Sequence, residues 1–304
     1  MFDAILAYFA NLFRRRWPKP KPPVPPMPPP PPPPVLIPAQ VYRGVPYGPD
    51  PLQFVDIYVP EHYDNERLAV EAFSHGGGWR RGDADMSVYA KADHANALKR
   101  IFVSISYRLG VDSDPVVPVW TQALDIATAY AWLRANIALY GGDPAKQIRT
   151  GHSAGAHLME LVCSHPDLAA MAGDYLGSVC LDSAALNVPK TMKAVPYLSA
   201  DMQKLYIGAF GTPPNAGPAY EHQCDPMGQM ASKQPPKLLV FSKDRGPGDE
   251  TACRDYGAKA EGFGTKVTVY GAAMKHGEIN SLLGTPCELT DVYDAFVDGL
   301  LAAA

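Results

Sequence analysis

The chain has 304 residues, 47% hydrophobic and 19% charged, with a formal charge of −4, 26 glycines and 32 prolines; this length allows two ordinary domains or a single α/β domain. Collagen-like and wholly disordered chains are excluded, because 14 prolines fall between Pro18 and Pro38 while the remaining residues keep an ordinary proline content and enough apolar side chains for a full core. Residues 1–38 carry Arg14, Arg15, Arg16, Lys19 and Lys21 against Asp3, a balance of +4 that leaves −8 on the rest, and an acidic body without a basic stripe excludes nucleic acid as the main partner.

Residues 2–13 place Phe2, Ile5, Leu6, Phe9, Leu12 and Phe13 at helical spacings of three and four, which predicts a short amphipathic helix within residues 1–17. At about 18 Å it is too short for the roughly 30 Å hydrocarbon core of a bilayer. Its cations follow the apolar run and no small-x-small site appears, so a secretory signal is not recognised and a cytoplasmic location is expected. Two readings stay open. The helix lies in a membrane interface or on a partner protein, with Arg14 to Arg16 near anionic groups, or it packs on its own domain or frays in water. Residues 18–38 read as a polyproline II spacer of about 65 Å, with docking to an aromatic groove as the lesser alternative.

Residues 39–304 read as the catalytic body. Short apolar runs alternate with helical stretches, the pattern of an α/β fold with a mostly parallel central sheet and helices on both faces. Strands are predicted at 54–59, 69–74, 101–106, 147–150, 176–181, 237–242 and 266–270, and helices at 87–99, 119–140, 154–163, 249–261 and 288–301. The stretch 187–236, rich in Pro, Gly and Tyr, reads as irregular and as the place for a lid or acyl-pocket wall. Cys163, Cys180, Cys224, Cys253 and Cys287 are scattered without a CxxC pair, so neither a metal site nor a disulfide framework is predicted, and no cofactor is implied.

Gly151-His152-Ser153-Ala154-Gly155 stands between a strand and a helix, the context in which G-x-S-x-G lifts a serine hydroxyl to the carboxyl edge of a sheet. Ser153 is the candidate nucleophile. Upstream, His75-Gly76-Gly77-Gly78-Trp79 follows a strand, and residues without side chains let backbone N–H groups approach a developing oxyanion. The expected donors are the amides of Gly77, Gly78 and Ala154, with His75 bracing the loop. A base must follow the serine in this chain order, and His276, just past the last strand, is the candidate. For the acid, Asp244 ranks first because it directly follows the 237–242 strand. Asp249, which could instead cap the next helix, ranks second, and Asp182 at the end of the 176–181 strand third.

Ser74 to Asp83 (SHGGGWRRGD), Ser104 to Leu109 (SISYRL), Ala123 to Leu158, Leu181 to Ala185 (LDSAA) and Lys275 to Glu278 (KHGE) together resemble α/β-hydrolase carboxylesterases, in the group of hormone-sensitive-lipase-like, small acetyl or feruloyl esterases and kynurenine formamidase. The resemblance covers roughly residues 40–300. It implies a serine hydrolase acting through an acyl-enzyme on small-molecule substrates, small acyl or aryl esters, with Ser153, an acid and His276 as triad and Gly77, Gly78 and Ala154 as oxyanion hole. The short stretch ahead of Phe54 implies a compact body with little or no cap. An arylformamidase-type amide hydrolase on the same triad is the alternative, and a non-catalytic interaction protein on this fold is the alternative from another class.

Overall fold

The computed structural model describes residues 34–110, 116–183, 185–212 and 215–304. The expected N-terminal helix and nearly all of the proline segment lie outside the described residues. Residues Val35–Ala304 form one compact unit. Its start lies inside the expected spacer: Leu36–Ile37 pair antiparallel with His62–Tyr63, and Val35 N donates to Asp64 Oδ1 at 3.0 Å.

The central sheet comprises β1 (Gln40–Pro46), β2 (Phe54–Val59), β3 (Leu68–Ser74), β4 (Ile101–Ile105), β5 (Gly142–His152), β6 (Gly177–Leu181), β7 (Lys237–Ser242) and β8 (Val267–Ala272). The spatial order is β8-β7-β6-β5-β3-β4-β2-β1. Every pair from β4 to β8 is parallel, and β2 and β1 close the other edge antiparallel. Around it lie α1 (Tyr89–Ala97), α2 (Val119–Asn136), α3 (Ala154–Ser164), α4 (Pro166–Ala172), α5 (Val188–Ala194), α6 (Ala200–Phe210), α7 (Pro218–Gln223), α8 (Pro226–Gln229), α9 (Pro247–Gly262), α10 (His276–Leu282) and α11 (Glu288–Ala302). Among the described residues, no helix is long and apolar enough to cross a membrane.

Side chains alternate across each strand, so the sheet feeds two cores. Ile57, Val70, Ala72, Val103 and Leu239 pack under α2, α3, α4 and α9. Tyr58, Phe73, Phe102, Val179 and Leu238 pack under α1, α10 and α11. One buried ion pair crosses the first layer: Lys237 Nζ lies 2.6 Å from Glu160 Oε2, and Glu160 also accepts from Ser178 Oγ and Tyr256 Oη.

Two expectations need correction. β1 was not predicted because its residues are nearly all exposed and carry no apolar alternation; Asp56 holds it instead, accepting from Arg43 Nη1 and Gly44 N at 2.7 Å each. The stretch 187–236 is largely helical, not irregular. Pro189, Pro218 and Pro226 stand in the first turns of α5, α7 and α8, where the missing N–H costs nothing. α6 buries Tyr206, Ala209 and Phe210, at spacings of three and four, in the same core as α3.

The strand registers pair Ser74 with Ile105 and Gly151, His152 with Leu181, and Ser242 with Ala272. The parallel strands therefore end together. His75, Ser153 and Asp182 each follow directly on such an end, at one edge of the sheet.

Candidate active site

Ser153 joins β5 to α3 with φ 54° and ψ −120°, a left-handed backbone for a residue with a side chain. Its amide donates to Leu181 O at 2.9 Å and its carbonyl accepts from His157 N at 3.0 Å. The flanking glycines are required by space. A Cβ on Gly155 would sit 2.2 Å from Ser74 O and 2.3 Å from His75 O, and one on Gly151 2.7 Å from Gly155 O. This tight packing of α3 against the end of β3 sets the serine beside the glycine loop.

In that loop Gly77 has φ 125° and Gly78 φ 63°. A Cβ on Gly77 would lie 1.7 Å from Arg81 O, because Arg80 N and Arg81 N both turn back onto Gly77 O at 3.3 Å. Gly76, Gly77, Gly78 and Ala154 line one open cleft of about 1170 Å³ together with Ser153, Asp182 and His276. Trp79 anchors the far end of the loop. Its indole N–H donates to His157 Nδ1 at 3.3 Å, and His157 Nε2 donates to Cys224 O at 2.9 Å. His75 is fully buried, donates from Nδ1 to Gly76 O at 2.7 Å and stacks on Tyr107. Burial pushes its imidazole down to about 4, so it stays neutral and braces the loop.

His276 opens α10, where Lys275 N donates to Glu278 Oε2 at 2.8 Å in a capping box. Its Nε2 lies 3.0 Å from Ser153 Oγ and its Nδ1 2.6 Å from Asp182 Oδ2. A carboxylate oxygen only accepts, so Nδ1 carries the proton and Nε2 faces the serine as acceptor. Asp182 is 1% exposed. Its Oδ1 accepts from Ser242 N at 2.9 Å, and Oδ2 also accepts from Arg245 Nη1 at 3.1 Å. Burial works against its charge, but the His276 hydrogen bond, the Arg245 cation and the Ser242 amide outweigh it and hold the carboxyl below its ordinary range.

Asp244, ranked first for the acid, does not stand on His276. After β7 the chain makes a single 3₁₀ turn, Lys243–Arg245, started by Ser242 Oγ accepting from Asp244 N at 3.2 Å. Successive residues of such a turn point about 120° apart. Arg245 faces inward and Asp244 is exposed to solvent. Asp249 is not on the imidazole either; in the first turn of α9 its Oδ2 lies 3.2 Å from Arg245 Nε. The structure thus brings Ser153, His276 and Asp182 together and leaves Asp244 outside.

Sequence reasoning passed over two further contributors, His152 and Arg245. His152, inside the serine motif itself, donates from Nε2 to the carbonyl of His276 at 3.0 Å, and burial, with repulsion from His276, pushes it down to about 3. Arg245 was hidden behind Asp244. Met202, Leu205 and Tyr206 on α6 line the cleft together with His152 and Asn280, within the stretch expected to supply a lid or pocket wall.

Comparison with known proteins places the architecture. An esterase from Thermogutta terrifontis in its butyrate-bound form superposes with a TM-score of 0.66 at 19% identity, over 86% of this chain and 94% of that one. The same esterase phosphonylated by sarin gives 0.66 at 19%, over 86% and 95%. The fold is that of the α/β-hydrolases. Among sequences, Esterase LipC of Mycobacterium tuberculosis is 34% identical over 120 residues, 39% of this chain and 28% of that protein. Versiconal hemiacetal acetate esterase of Dothistroma septosporum is 38% identical over 91 residues, 30% and 26% respectively. The matches thus span about a quarter of these curated relatives' length. A family model described as BD-FAE matches residues 55–244, from β2 past Ser153 into the 3₁₀ turn after β7. With more than half of its residues so matched, on this fold, the chain belongs to the BD-FAE family.

Proposed function

We propose that this protein is a serine hydrolase that cleaves carboxylic esters through an acyl-enzyme intermediate, with Ser153 as nucleophile, His276 as base and Asp182 as acid. The observation that carries the reading is the unbroken line from Ser153 Oγ through His276 to Asp182, at 3.0 and 2.6 Å, on the floor of an open cleft. His276 Nε2 takes the hydroxyl proton as Oγ attacks the ester carbonyl. The amides of Gly77, Gly78 and Ala154 hold the oxyanion, and Asp182 stabilises the imidazolium. The imidazolium then protonates the departing alcohol, and a water deprotonated by His276 releases the acid.

The esterase names among the relatives and the phosphonylated state of the structural neighbour support the same chemistry. A cleft of about 1170 Å³ lies slightly above the usual range of small-molecule sites, which supports small acyl or aryl esters as the substrates.

Hydrolysis of a p-nitrophenyl ester series by wild type and Ser153→Ala, with fluorophosphonate labelling, tests the proposal. Labelling at Ser153 and loss of turnover in the variant are expected. Equal turnover in both would end it, and absence of labelling would favour a non-catalytic interaction protein. Faster turnover of an aryl formamide than of any ester would move the reading to an amide hydrolase.

A further inference from the structure

Arg245 and Asp249 move no proton in the reaction just described, yet they complete the charge around its base. Arg245 Nη1 stands 3.1 Å from Asp182 Oδ2, 3.3 Å from Asp182 O and 3.2 Å from His276 Nδ1. Two donors therefore share one carboxylate oxygen. A guanidinium in that place steadies the carboxylate, but it also opposes a positive charge on the imidazole. The opposition is cancelled behind it, where Arg245 Nε lies 3.2 Å from Asp249 Oδ2, whose side chain is 13% exposed.

Around a neutral His276 the charges are Asp182 negative, Arg245 positive and Asp249 negative. Once the imidazolium forms, the four sum to zero. The phenol of Tyr206 on α6 also faces Arg245; burial raises it, so it remains uncharged.

We propose that Arg245 and Asp249 act as a positioning pair: Arg245 holds the Asp182 carboxylate on His276, and Asp249 neutralises the guanidinium so that the imidazolium can form. The inference rests on the hydrolase reading above. It assigns a use to two residues at the place where the sequence suggested the acid, after β7, and it explains how an acid just after β6 works beside a cation.

A double-variant cycle tests it. The kcat and KM for p-nitrophenyl acetate are measured for wild type, Asp249→Asn, Arg245→Gln and the double variant. Rates are counted per Ser153 titrated with fluorophosphonate, so that unfolded protein does not enter. Asp249→Asn is expected to lower kcat about tenfold, because Arg245 is left without the counter-ion that holds it in place on Asp182 Oδ2, with KM within about twofold. In the Arg245→Gln background the same change should cost less than about threefold, since no guanidinium is left to neutralise. Asp249→Glu should restore most of the rate. Equal costs in both backgrounds, or less than a twofold loss in the first, would overturn the pair. Ester turnover that does not depend on Ser153 would instead remove the hydrolase reading on which it rests.

Discussion

Replacing Asp182 by Asn changes one atom and removes the charge 2.6 Å from His276 Nδ1. Between charge centres about 4 Å apart, at an effective dielectric constant near 20, the lost attraction for the imidazolium is about 4 kcal/mol, or roughly a thousandfold in rate. The new amide adds a second effect: whichever way it turns, its NH2 replaces an acceptor that faces a donor, Ser242 N or Arg245 Nη1, so the group holding His276 Nδ1 is displaced. Together these predict a kcat reduced by about 10³ to 10⁴, with KM changed only a few-fold. Asp244→Asn should stay within about twofold of wild type, because its carboxylate is exposed and off the imidazole. The assay is hydrolysis of p-nitrophenyl butyrate, with thermal melting to establish that both variants fold. More than a tenth of wild-type kcat in Asp182→Asn, or more than a tenfold loss in Asp244→Asn, would refute the assignment of the acid to β6.

Acid should destabilise the fold through its buried imidazoles. Burial lowers His75 and His157 to about 4, and burial together with His276 lowers His152 to about 3. The folded state then refuses protons that the unfolded chain accepts near 6.5, so stability is full above pH 6.5 and falls towards pH 3 to 4, by roughly 2 kcal/mol per histidine at pH 5. Urea unfolding at pH 7.5 and 5 should show this fall, and a smaller one for His157→Gln; a flat profile would show that the imidazoles are not buried as neutral groups. Lys237→Met strands Glu160 in the core and should cost about 3–5 kcal/mol in denaturant unfolding, much of it recovered when Glu160→Leu is added; two additive losses would argue against the pair. Gly155→Ala drives a Cβ within 2.3 Å of the Ser74 and His75 carbonyls, so a loss of about 3 kcal/mol or more is expected along with reduced turnover. An unchanged melting temperature and rate would show that the motif's second glycine is not there for space.

The chemistry-bearing segments were legible because their demands are local. Ser153 between two glycines, itself between a strand and a helix, can form only a sharp turn, and the close approaches at Gly151 and Gly155 are the physical content of that motif. The loop from Gly76 to Gly78 was legible for the same reason. The acid was not. Asp182 and Asp244 each stand just after an apolar strand, and nothing in their neighbours tells them apart. What separates them is a single 3₁₀ turn that sends Asp244 outward and Arg245 inward, together with the β6–β7 register that lets Ser242 N reach Asp182 Oδ1. The segment 187–236 misled because proline and glycine mark helix starts as readily as loops, and β1 because an exposed edge strand needs no apolar alternation.

By itself the sequence determined the layered α/β body, the sharp turn at Ser153, the glycine loop and the place of His276, since each depends on residues within about one strand, turn or helix. Only the tertiary structure decided which carboxylate meets His276, which helices wall the cleft, and that a cation with its own counter-ion stands beside the triad. The contacts of His276 with Arg245 and Asp182 join residues 31 and 94 positions apart along the chain, and their geometry comes from strand order and register.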